Sequence, residues 1–82
     1  MNAATLYTVN SKALATYADS IQRSANDSLS AWILLGQSER YSAEMATVRA
    51  IRAAAAERSV YVRREILRNA GFVVKLPRAA CA

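Results

Sequence analysis

The stretch from Ser38 to Ala70 contains neither glycine nor proline, and it constrains the fold of this chain more than any other feature. Four consecutive alanines, Ala53 to Ala56, give it a strong helix signal, because alanine loses no side-chain entropy in a helix. Apolar residues recur at Tyr41, Met45, Val48, Ile51, Ala55, Val62 and Ile66. Those spacings of three, four and seven stack on one helix face. The reading is one helix over 39–70, roughly 50 Å long at ~1.5 Å per residue. A monomer this small cannot cover such a helix alone, so something must pack along it.

The apolar fraction of 54% includes 18 alanines. Only the larger side chains bring substantial burial, at about 1.5–3 kcal/mol each. That favours close-packed helices with alanine at the contacts. With 82 residues the chain is a single domain, of a size at which oligomerisation often supplies missing burial.

Upstream, the apolar positions Leu14, Tyr17, Ala18, Ile21, Ala25, Leu29, Trp32 and Leu35 keep helical phase through Asn26-Asp27. The first helix is therefore read as 11–35, capped by Asn10 or Ser11. A break near Asn26-Asp27, giving three helices, is the rival reading. Gly36 to Ser38 forms the turn: Gly36 closes the first helix in a left-handed conformation, and Ser38 caps the second with Glu39 in its first turn. So short a link makes the two long helices antiparallel neighbours. The fold class is all-α, a helical hairpin expected to dimerise into a four-helix bundle. The expected dimer and hairpin core is Leu14, Ile21, Leu29, Trp32, Met45, Val48, Ile51, Val62 and Ile66.

Gly71 ends the second helix. Beyond it, residues 71–82 read as an extended tail, with β-prone Phe72-Val73-Val74 followed by an exit at Pro77. Residues Thr5 to Val9 are also β-prone, and the two segments can pair as a two-stranded ribbon if they pack on something.

Nothing in the sequence suggests catalysis. Histidine is absent, Cys81 stands alone, only two glycines occur, and the six carboxylates are spread among arginines. No catalytic, cofactor-binding or metal-ligating residue is assigned, and no enzyme activity or cofactor is expected. One cysteine forms no intramolecular disulfide, and the longest uninterrupted apolar run, Ala31 to Leu35, is far too short to span a bilayer. The chain reads as cytoplasmic.

A formal charge of +5 arises from 11 basic against 6 acidic residues, nine of the bases being arginine. Arginine suits bidentate contacts to carboxylate or phosphate, which points to an acidic partner. The joint abundance of alanine and arginine also fits a GC-rich bacterial or phage genome. On the helical wheel Val60, Tyr61 and Leu67 fall off the main stripe, and with Phe72 they exceed what one hairpin can cover. The expected partner surface is Tyr61, Arg63, Arg64, Leu67, Arg68 and Phe72. A second apolar feature, AWILLG at residues 31–36, is apolar all round, so it is either doubly buried near the turn or part of an interface.

The leading expectation is a non-enzymatic protein-interaction module, a bacterial or phage inhibitor or adaptor. It would bind itself and a host protein with an acidic and apolar surface. The alternative is nucleic-acid binding, through an arginine-rich hairpin dimer. In its element lengths, a strand over 5–9 with helices over 11–24 and 27–35, the chain resembles the ribbon-helix-helix regulators. It departs from them at Thr5, Tyr7 and Val9, where no arginine or lysine is present to read bases.

Overall fold

The structure is a computed structural model that describes residues 4–76. Helix α1, Ser11–Leu34, starts where the Asn10 side chain accepts a hydrogen bond from the Ala13 amide at 3.0 Å. It runs through Asn26-Asp27 without a break. Ala25 is buried beside them, and the Tyr41 hydroxyl donates to Asn26 Oδ1 at 2.9 Å, so a contact to the second helix offsets the weak helix propensity there. One continuous helix at this position removes the ribbon-helix-helix resemblance, which needs two.

At the end of α1, Gly36 takes φ +70°. The Gln37 amide donates to Trp32 O at 2.7 Å and the Gly36 amide to Ile33 O at 3.1 Å. This pair of reversed bonds is the Schellman closure that satisfies the last carbonyls of a helix. Helix α2, Glu39–Ala56, then returns antiparallel along α1. Ser38 does not cap it as expected. Its backbone is already helical (φ −62°, ψ −23°), and no side-chain cap bond forms.

The single helix over 39–70 is also corrected. Glu57 is extended (φ −81°, ψ 143°), and a separate helix α3, Val60–Asn69, begins after it. Ser59 caps α3, accepting from the Val62 amide at 3.3 Å. The break lets α3 turn back against α2, which buries Leu67 completely and Phe72 almost completely. Gly71, at φ +100°, closes α3 with a second Schellman pair: Phe72 N to Leu67 O at 3.0 Å and Gly71 N to Arg68 O at 3.0 Å. Leu67 and Phe72 occupy the two positions whose apolar contact accompanies that motif, so the turn and the core specify each other.

The chain ends described here do form a ribbon. Strands β1, Thr5–Leu6, and β2, Val73–Val74, pair in parallel, Thr5 opposite Val73 and Leu6 opposite Val74. The ribbon holds because Leu6, Val74 and Leu76 pack on the core. The first part of the expected extended tail is thus a helix closure at Gly71 and a short strand at Val73–Val74. Pro77 and Cys81 lie outside the described residues.

The core is confined to one end of a body 50 × 23 × 17 Å in extent. Val9, Leu14, Ala18, Val48, Ile51, Ala54, Leu67 and Phe72 form it, with Ile21, Met45 and Ile66 partly buried against it. Of the core expected from periodicity, Leu29, Trp32 and Val62 lie outside this cluster and are only half-buried. Residues 21–45 therefore form a two-helix arm projecting from a three-helix head.

Candidate partner-binding surface

Helix α3 presents Tyr61, Arg64 and Arg68 at spacings i, i+3 and i+7, which puts them on one stripe. The stripe lies beside the buried Leu67, with Tyr61 and Arg68 exposed at its two ends. Tyr61 is 69% exposed. Arg68 in the last turn suits the negative end of the helix dipole. It faces Glu65 at 3.8 Å, an exposed i,i+3 pair of the kind worth about 0–1 kcal/mol. Arg64 is half-buried, and its Nε is the buried side-chain polar atom left without a hydrogen-bond partner among the described residues.

The other members of the expected surface belong elsewhere. Arg63 donates through Nε to Glu57 O at 2.6 Å and through Nη1 to Val9 O at 2.9 Å. It joins the α2–α3 link to the segment before α1, so it holds the fold and its fork is already engaged. Leu67 is fully buried. Phe72 packs edge-on to Tyr17, with ring centroids 6.4 Å apart and planes at 70°. Neither can supply the apolar centre of an interface. The correction has one cause: the break at Glu57 rotates α3 relative to α2, and residues placed off the stripe of one long helix become the inner face of a new one.

Val60 and Val73 are partly exposed in the head, but the run of most exposed aliphatic side chains lies at the opposite end. Ile33, Leu34 and Leu35 are 59%, 87% and 68% exposed at the arm's tip. Trp32 beside them is half-buried, with the Arg40 guanidinium 5.0 Å from its ring centroid. AWILLG carried the signal, since a helix end touched by a single neighbour buries one face only.

Charge is divided between the two ends. The head, residues 4–20 and 46–76, carries eight basic side chains against three acidic ones. The arm carries Arg23 and Arg40 against Asp27, Glu39 and Glu44. Within the head, Arg52 is neutralised by Asp19 at 2.8 Å, while Arg58 and Lys75 are exposed near the α3 stripe in sequence.

Among the described residues, no group of three or more His, Cys, Asp or Glu side chains is placed to hold a metal ion. No described helix is long and apolar enough to cross a membrane. Comparison with protein-family models, with curated proteins and with solved structures gives no match, so the reading of this surface rests on the residues themselves.

Proposed function

We propose that the chain is a non-enzymatic binding module whose basic head engages an acidic surface on another protein through Tyr61, Arg64 and Arg68. The observation that carries this reading is the division of labour among the arginines. Arg52 and Arg63 are held by internal partners, whereas Arg68 is exposed with only Glu65 nearby and half-buried Arg64, on the same stripe, has its Nε without a partner. Arginine and tyrosine are also the side chains that most often anchor interfaces. With Leu67 and Phe72 inside, Val60 and Tyr61 are the exposed apolar side chains left on α3, so the partner's matching surface is chiefly acidic with an apolar part facing these two. An inhibitor or adaptor acting on a host protein fits this chemistry. Self-association into a four-helix bundle belongs to the same proposal, but not through Leu67 and Phe72.

The test is capture from nuclease-treated bacterial lysate by the wild-type chain and by the Arg64→Glu, Arg68→Glu double variant. An acidic protein retained by the wild type and lost by the variant, at unchanged helix content and mass, supports the proposal. Equal retention by both removes the stripe from it.

Nucleic acid is the second reading, favoured by the exposed Tyr7 and Tyr61 within the basic head, since bases stack on such rings. Glu57 and Glu65 interrupt the basic surface and weaken it. Binding that requires DNA or RNA and falls steeply with salt selects this reading.

A further inference from the structure

Ile33, Leu34 and Leu35 are consecutive, so they point about 100° apart around the helix and no single neighbour covers all three. Together they leave roughly 300–400 Å² of apolar surface within one turn, the size of the largest apolar patch on a typical monomer, which is often functional. The arm beneath is thin. Ala25 is its fully buried residue, and Leu29, Trp32, Tyr41 and Met45 are half-buried. In the head, α3 and Phe72 cover the α1–α2 pair, but that cover stops near Tyr17, Ile21 and Met45.

We infer that the tip of the arm docks on the tip of a second copy of this chain, the two arms overlapping as four helices with the heads at opposite ends. Charge favours this arrangement of two copies over one that brings their heads together. Parallel side-by-side or head-on pairing would bring two clusters of eight bases against three acids together. Tip-to-tip pairing separates them by several times the ~8 Å Debye length of physiological salt. The arms themselves are close to neutral and complementary. Arg23, Asp27, Glu39 and Glu44 make no ion pair among the described residues. In a two-fold overlap centred near Leu29, Arg23 and the turn each lie roughly 9 Å from the axis along the helix. Arg23 of one copy is then level with the turn before Glu39 of the other, and the symmetry makes each contact twice. The exposed tip supplies about half of the ~800 Å² per partner that a stable interface buries, and the flanks of the overlapping helices supply the rest.

The inference rests on self-association, and the experiment separates the two. Sedimentation of the full chain between about 1 and 200 μM should give twice the 8.9 kDa chain mass. Small-angle scattering should give a longest dimension of roughly 80 Å, from two 50 Å bodies overlapping over about 20 Å. Leu34→Glu, Leu35→Glu, which alters only exposed side chains, should sediment as the monomer throughout with unchanged circular dichroism. A wild-type chain that stays monomeric overturns self-association and the tip contact together. A dimer only about 50 Å long, or one that survives the double variant, overturns the tip contact alone.

Discussion

At the scale of single residues, arginines of the same type in neighbouring positions do different jobs. Arg63, Arg64 and Arg68 share one short helix, yet only Arg63 reaches main-chain carbonyls on two other segments. A wheel assigns an angle to each residue and carries no information about which carbonyls lie within reach, so the sequence grouped all three as partner-binding. Hydrogen bonds from a charged donor contribute more than neutral ones, and losing the donor leaves both acceptors to find water. Arg63→Ala should therefore lower stability by about 1–3 kcal/mol, read from the urea midpoint. Arg68→Ala removes an exposed pair and should change stability by less than about 0.5 kcal/mol. Equal losses from the two would mean that the Arg63 bridge does not hold the fold together.

At the scale of elements, α1 and the Gly36 turn were legible because local signals and tertiary packing agree there. The Ser11 hydroxyl donating to Ala55 O at 2.6 Å ties the two ends of that hairpin. The break after Ala56 was not legible from propensity, which the alanine run dominates. Its signal was Val60 and Leu67 falling out of phase with the stripe. That mismatch was read as surface for a partner when it marks the start of a new helix. Burying Leu67 and Phe72 gains about 1.5–3 kcal/mol each, enough to offset the helix bonds lost across Glu57 to Ser59. The two serines that precede helices make the contrast testable. Ser59 accepts from the Val62 amide and Ser38 makes no such bond. Ser59→Ala should cost about 1 kcal/mol and Ser38→Ala nearly nothing in thermal or urea unfolding. A larger loss at Ser38 would contradict the helical backbone found there.

At the scale of the whole molecule, a thick basic head and a thin, nearly neutral arm divide stability as well as charge. Val48, Ile51 and Ala54 are fully buried beneath α1 and α3, whereas on the arm only Ala25 approaches that burial. Opening free energy follows buried apolar contact, so amide exchange should be slowest over 48–54 and much faster over 28–41 in dilute solution. The same segment contains the tip through which a second copy is inferred to dock. A partner that binds only the folded arm adds protection by mass action, in proportion to the logarithm of its concentration once well above Kd. Raising the chain from about 1 to 200 μM should then slow exchange over 28–41. Residues 48–54 lie away from the overlap and open only with the head, so they should change far less. Leu34→Glu, Leu35→Glu should abolish the concentration dependence and keep the gradient between head and arm. If the arm is as protected as the head at the lowest concentration, two helices suffice to hold it, and its thinness places no demand on a second copy.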